Sequence, residues 1–479
     1  MSRINTNVTA LISARILNTS NSDMNKSLER LSTGLRINRG ADDPAGLIAS
    51  ENLRKQIRGT ETAIKNAERA VNVISTAEGS LAEMNAMLVD LQGLLGEVAN
   101  SGGMSTEEIN ANQSQIDSIL NTIDRISNSA EFEGIKLLNG NLDYTTGTLP
   151  ASIADSTIKA AKLIDGASMT VAIAVTTSAN TGVAFLSGAA LSTTNMTIRI
   201  GSNRGTTDLT FAAATTRANV QTAINAVREI TGVSAATSAG AIALRSIDFG
   251  TDAYVSVTIL SGQHTSNVFA LNTNNAGNNA SASDSGVDAV ATINGVSANA
   301  DGKKLSVRTS MLDAEIELTA AAAMAATSAS FTITGGGADF AIGSQVDAIG
   351  LESIGIQNMA TTSLGNATDG YISTLKSGGT NSLTSNNLYT AQNIVTSAIK
   401  DVSNLRGRLG SFQKNTLETT INSLNIATEN LYAAESAIRD TDFATETSRL
   451  TRAQILVQAS TMALQMANMA PQAVLSLLG

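Results

Sequence analysis

Apolar residues recur at helical spacing at both ends of the chain and at strand spacing between them. Near the start, Ile4, Val8 and Leu11 stand four and three apart, and Met24, Leu28, Leu31 and Leu35 resume the interval. The polar run 18–22 between them is a weak helix former and predicts an interruption. Asp42-Asp43-Pro44 follows. Asp43 can cap a helix, and Pro44 suits its first turn, where no amide bond is lost, so these residues predict a joint between two helices. Ile57, Ile64, Ala67, Val71, Ile74, Leu81, Leu88 and Leu95 then recur at three, four or seven, a heptad seam. Asn100 to Gly103 ends it. Ser105 with Glu108 makes a capping box and Met104 with Ile109 a hydrophobic staple. Ile109, Ile116, Ile119, Ile123 and Ile126 predict one face of a third helix.

The C-terminal zone mirrors the first. Ala391, Ile394, Ala398, Val402, Leu405 and Leu409 form one seam, continued by Leu417, Ile421, Leu424, Leu431 and Ile438. Leu450, Ala453, Leu456, Ser460, Ala463, Ala467 and Val474 form a last stripe of smaller side chains, and Pro471 predicts a bend or end there. The middle differs. The runs 196–205 and 244–260 alternate polar and apolar residues and are rich in β-branched types, and four further short runs between 290 and 337 do the same. Thr216 to Ile230 reads as an amphipathic helix, and Gly335 to Gly337 as a turn. The fold class is therefore α+β: an antiparallel helical coiled coil or bundle made by both chain ends, with a β-rich central insert. An isolated helix is marginal in water, so the two apolar ends need a partner. An intramolecular bundle alone would satisfy the pattern. Assembly between copies is favoured because segments 1–39 and 443–479 are rich in Ala, Ser, Asn and Gln and because Met462, Met466 and Met469 add adaptable apolar bulk.

Composition narrows the classes. Of 479 residues, 42% are hydrophobic, 3% aromatic and 15% charged, with net charge −10 and no Cys or Trp. That hydrophobic share over a long chain favours a folded protein over a disordered one. The negative balance argues against nucleic acid as a partner. Without Cys there is no disulfide, thiol catalysis or Cys-ligated metal. The start lacks a Sec-type leader, and no run of 18 apolar residues would insert into a membrane. His264 is the only histidine, which rules out a Ser-His-Asp set built on any other residue and leaves too few ligands for a zinc site. No cofactor or metal site is expected, and a secreted enzyme on a coiled-coil stalk lacks the catalytic residues it would need.

The ends resemble bacterial flagellin. RINTNVTAL, LERLSTGLRINRGADDPAGLIAS and RISNSAEFEGIKLLNG are similar to that family's N-terminal region, and AESAIRDTDFATETSRLTRAQILVQAS and PQAVLSLLG to its C-terminus. Residues 231–262 resemble the hook IN motif found in some flagellin inserts. The resemblance implies a subunit of the extracellular flagellar filament, with a hook–filament junction protein as the alternative. It implies an inner coiled coil (D0) of 1–42 with 436–479, a helical bundle plus β-hairpin (D1) of 43–145 with 335–435, and an outer insert of 146–334 in one or two subdomains. Its assembly interface would include Ile4, Val8, Leu11, Leu28, Leu31, Leu450, Leu456, Leu464, Val474 and Leu475, with Asp42, Asp43 and Pro44 at the D0–D1 joint. Implied partners are many copies of the same chain, an export chaperone on the C-terminal segment, and filament cap and hook–filament junction proteins, with secretion by the flagellar type III route. In many flagellins the stretch matching 88–96 carries an arginine and a glutamate that an animal Toll-like receptor recognises. Here Asp90 and Gly93 stand in their places, beside Leu94.

Overall fold

The computed structural model describes the chain except residues 1–5, 101–102, 164–166, 188–194, 239–240, 263–269, 273–280, 326, 346, 348, 367–368, 386 and 476–479, and except the side chains of 187, 270–272 and 470–475. Its helices are α1 (Val8–Thr33), α2 (Pro44–Val98), α3 (Thr106–Ser129), α4 (Arg217–Ala226), the single turns α5 (Arg228–Thr231) and α6 (Ala320–Ala323), α7 (Leu388–Phe412), α8 (Thr419–Arg439) and α9 (Phe443–Leu475). All but α4, α5 and α6 occupy the two ends, and strands dominate the middle, as the α+β reading expects. The chain divides into two compact units: Met1–Val71 with Ala341–Gly350 and Gln413–Gly479, and Asn72–Phe340 with Leu351–Phe412.

In the first unit α1 packs closely along α9. The polar run 18–22 does not interrupt α1. Thr19 Oγ1 bonds the Arg15 carbonyl at 3.0 Å and Ser20 is buried, so packing overrides weak propensity. Nor does Pro471 end α9, which runs to Leu475. α8 lies antiparallel to the first part of α2: Tyr432 Oη donates to Glu61 at 2.6 Å, Arg54 pairs with Glu435 at 3.5 Å, and Arg439 with Glu51 at 3.5 Å. Against the same stretch of α2, Asn66 Nδ2 donates to Ala341 O at 3.0 Å. A Cβ on Gly59 would come within 2.5 Å of Ser344 O, so the close approach of the 341–350 turn requires glycine there.

From Ala63 to Leu95 the α2 seam alternates steps of four and three. Ile57, Ala67, Ile74, Leu81, Leu88 and Leu95 are buried on it as expected, joined by Ala63, Ala70, Ala77, Met84 and Leu91. Ile64 and Val71 each sit one position off that line and are half-buried. α3 corrects the expected face. Its buried line is Ile116, Leu120, Ile123 and Ser127, while Ile109, Ile119 and Ile126 lie half-buried at its flank. Ser105 and Glu108 do form the reciprocal capping box. The α7 seam is buried as expected, with Val395 added. Gln113, buried on α3, donates to Leu375 O at 2.8 Å and accepts from Leu383 N at 2.9 Å.

The central strands form two nested sandwiches. A five-stranded sheet (Val296–Ser297, Val290–Ile293, Met169–Thr177, Ser328–Gly336, Tyr144–Thr146) and a four-stranded sheet (Asn299–Asp301, Lys304–Arg308, Leu312–Leu318, Ile153–Ala161) share one core that includes Val171, Ile173, Leu305, Ile316 and Phe331. The chain leaves and re-enters this inner sandwich side by side: Asn180 and Val287 are antiparallel partners, bonded in both directions at 2.9 Å. Between them lies the outer sandwich. It has two four-stranded antiparallel sheets and α4 around Ile198, Ile200, Val220, Ile242, Leu244 and Val257. Thr216 caps α4, so the predicted helix 216–230 is α4 plus α5. Gly335–Gly337 is not a simple turn. Gly335 and Gly336 end a strand at a register shift, and a Cβ on Gly336 (φ +88°) would collide with Asp143 O. His264 lies outside the described residues.

Candidate assembly interface

The terminal helix pair is joined by small and polar residues. Asn7 caps α1 by accepting from Ala10 N at 3.1 Å, and its Nδ2 donates to Ala467 O at 2.6 Å. Near the other end, Ser27 Oγ donates to Glu446 Oε1 at 2.7 Å. The line facing α1 on α9 is Glu446, Leu450, Ala453, Val457, Ser460, Leu464 and Ala467, all buried or half-buried. Leu456 and Ala463, expected on it, are exposed because the 3.6-residue turn carries them off the line.

The exposed residues form a second apolar face on each helix. Val8, Leu11, Ile12 and Ile16 on α1, and Ile455, Met462, Met466 and Met469 on α9, are between 44 and 72% exposed. Ile455 and Met462 each stand two residues beyond a seam position, about 200° around the helix. Of the sequence-derived interface residues, Val8, Leu11, Leu28 and Leu456 are exposed, and Leu31, Leu450 and Leu464 are half-buried in the seam. Ile4 and the side chains of Val474 and Leu475 lie outside those described.

Both helix junctions break at one level. Gly34 ends α1 with φ +74°, and Asp43 Oδ1 accepts from Gly46 N at 2.9 Å to start α2 at Pro44. A Cβ on Gly46 would meet Asp43 Oδ2 at 2.5 Å, so this cap needs glycine three residues on. Asp42 ties the loop, accepting from Arg39 N at 3.1 Å and Asn38 N at 3.3 Å and pairing with Lys26 at 2.9 Å. The Lys26 bond, then the backbone amides, hold its carboxyl down at about 2. The α8–α9 junction runs alongside: Arg36 N donates to Arg439 O at 2.7 Å, and Thr441 N to Gly34 O at 2.9 Å. Asp442 caps α9, accepting from Ala444 N and from Thr445 Oγ1. Sequence reading named the residues of the first junction but gave only a boundary at 435/436, by resemblance, for the second. The Asp440-Thr441-Asp442 run was its signal, an N-cap residue just before an apolar-periodic segment. Elsewhere, Asp90 and Gly93 on α2 are exposed and Leu94 is half-buried.

Comparison with known proteins places these ends. Residues 4–143 match the bacterial flagellin N-terminal helical region and 392–478 its C-terminal helical region. A flagellin of Clostridium tyrobutyricum is 30% identical over 98% of this chain and 100% of its own length. The chain belongs to the bacterial flagellin family. Flagellin B of Vibrio anguillarum is 27% identical over 99% of each chain, and a Bacillus subtilis flagellin is 43% identical over 30% of this chain and 48% of its own. Among solved structures, hook-associated protein 3 of Legionella pneumophila aligns over 81% of this chain and 98% of its own at 12% identity, with a TM-score of only 0.30. As a flagellin, the chain is a structural subunit of the bacterial flagellar filament, and the hook–filament junction alternative is not favoured. Among the described residues no helix is long and apolar enough to cross a membrane, and no group of three or more metal-binding side chains occurs.

Proposed function

We propose that the paired ends, 1–42 with 436–479, form the inner coiled coil of the filament, that 43–145 with 335–435 form the bundle around it, and that 146–334 face outward. The observation that carries this is the second apolar face of α1 and α9, left open by a pair that already satisfies its own seam. Burying such a face between copies is worth about 25 cal/mol per Å². The contact is heterologous, so it propagates as an open helix instead of closing a ring. Val8, Leu11, Leu28 and Leu456 meet neighbouring subunits, and Leu31, Leu450 and Leu464 hold the pair. Asp42, Asp43 and Pro44 set the angle between the two layers. The chain acts as a structural polymer outside the cell and has no catalytic role. Its partners are its own copies, the cap and hook–filament junction proteins, and an export chaperone covering the open face of α9 before type III secretion.

The deciding experiment removes residues 443–479 and follows polymerisation by sedimentation. Polymer should be lost while the central sandwiches unfold at the wild-type denaturant midpoint. Normal filament growth would sink the reading. For the 88–96 stretch, an exposed Asp90 in the place of an arginine reverses the charge met by the Toll-like receptor, and Gly93 offers no side chain. Purified monomer should activate receptor-reporter cells weakly or not at all, and strong activation would refute this.

A further inference from the structure

The α1–α9 seam is almost periodic. On α1 it steps through Ser13, Ser20 and Ser27, with Leu17, Met24 and Leu31 between; on α9 through Ala453, Ser460 and Ala467, with Leu450, Val457 and Leu464 between. The Ser27–Glu446 and Asn7–Ala467 bonds set Ser20 opposite Ala453 and Ser13 opposite Ser460. Sliding one helix by a heptad, about 10.5 Å, again sets small against small and large against large. A seam of that kind defines its register weakly.

Glu446 breaks the repeat. It stands on the heptad line that continues through Ala453, Ser460 and Ala467, and it is 4% exposed. Besides Ser27, it meets Arg30 Nη1 at 3.7 Å and Arg449 Nη1 at 3.5 Å. A slip one way brings Ser20 and Asp23 to the places of Ser27 and Arg30, setting a carboxylate against a carboxylate. A slip the other way brings Gly34 and Ile37, beyond the end of α1, and removes both partners on that helix. A buried charge without its partner is strongly unfavourable, and a polar group at one seam position is a known means of fixing helix register. We propose that Glu446, held by Ser27 and Arg30, is the specificity-determining residue that locks the register of the terminal helix pair. The register sets Leu11 level with Met462 and Val8 level with Met466, so it composes the open apolar face. This rests on the assembly reading above.

The adjoining bridge between Leu35 and Asp440 is the rival determinant, and the absence of cysteine allows a clean test. Ser20→Cys with Ala453→Cys reports the native register. Ser20→Cys with Ser460→Cys, and Ser13→Cys with Ala453→Cys, report the two slips. Each pair is diluted into cysteine-free protein and oxidised, in solution and again in filaments. Only the native pair should cross-link in the parent chain. With Glu446→Ala the ratio of native to slipped product should fall at least about tenfold, with Glu446→Gln less, because the amide keeps the Ser27 bond. Arg30→Leu with Glu446→Leu, which packs without charge, should lower the ratio as Ala does. An unchanged ratio in Glu446→Ala or in the double variant overturns the lock and leaves the register to the bridge. Loss of all three products in Glu446→Ala also overturns it, because Glu446 would then hold the pair without choosing its register. Filament growth without 443–479 would refute the assembly reading and leave the solution ratios as the test of the lock.

Discussion

In the outer sandwich, Ile198, Ile200, Leu244 and Val257 are 0% exposed, whereas on α9 Ile455, Met462 and Met466 are 60, 64 and 72% exposed. Both regions are rich in apolar residues, and the difference follows from backbone chemistry. A strand must find neighbours for its amides and carbonyls, so the sheets close their core within one chain. A helix satisfies its interior backbone groups alone. It can leave a whole apolar side open at no hydrogen-bonding penalty, and that side remains available to another copy. α8 lies between these cases, with a half-buried stripe through Leu424, Leu431 and Ile438 and no fully buried residue.

The sharpest way to break the comparison is to cut the same amount of side chain from each region. Leu244→Ala should destabilise the monomer by about 2–5 kcal/mol, read from denaturant unfolding of the sandwich. Met462→Ala should change monomer stability by less than about 0.5 kcal/mol while raising the protein concentration needed to polymerise. Equal monomer destabilisation by both would show that α9 is closed in the single chain.

Legibility in the sequence divided along the same line. The α2 seam was half visible, since Ile57, Ile74, Leu81 and Leu88 stand out, but Ala63, Ala70 and Ala77 do not announce burial. On α9, apolar residues on two sides made more than one stripe plausible, and size favoured Leu456 over the true position Val457. Some strands were readable from alternation, but Ile153–Ala161 and Met169–Thr177 were not, and the run 244–260 is two strands, Ala241–Ser246 and Tyr254–Ser261. The nesting of the strands was not readable, because Met169–Thr177 pairs with Val290–Ile293 and with Ser328–Gly336, and alternation carries no information about partners so far along the chain. The Ser27–Glu446 contact joins residues too distant for any local pattern to reveal.

A smaller effect distinguishes the second unit's interior. Asp143, Asp155 and Asp401 line a cleft of about 490 Å³ with Glu315, Glu317, Lys304 and Lys400. Glu315 and Glu317 have lysine partners at 2.7 and 2.6 Å, from Lys159 and Lys303. Burial raises Asp401 to about 6, only partly offset by Gly365 N at 3.2 Å. Because the folded value exceeds the unfolded one, its contribution is full below about pH 4 and is lost as pH rises through about 6. After discounting for partial exposure, Asp401→Asn should add about 1–2 kcal/mol at neutral pH and flatten that window. An unchanged pH profile would remove Asp401 as its source. Next in size, Ser105→Ala should cost about 1 kcal/mol through the lost cap of α3, measured by amide exchange along its first turn.

The smallest effect has the opposite sign and belongs to the first unit. Asp42 is held at about 2 chiefly by Lys26, so its contribution is present above about pH 4 and is lost as pH falls through about 2. Its partner Lys26 is about half exposed, which limits the effect to below about 1 kcal/mol and makes it sensitive to salt. Its readout is the protection of the Asn38 and Arg39 amides, which both donate to Asp42. Protection should decline on acidification, and Lys26→Gln should bring that decline to higher pH. If protection instead persists to the lowest pH, the junction is held by the Gly34–Thr441 and Arg36–Arg439 backbone bonds alone. The angle between the paired ends and the following helices would then be independent of charge.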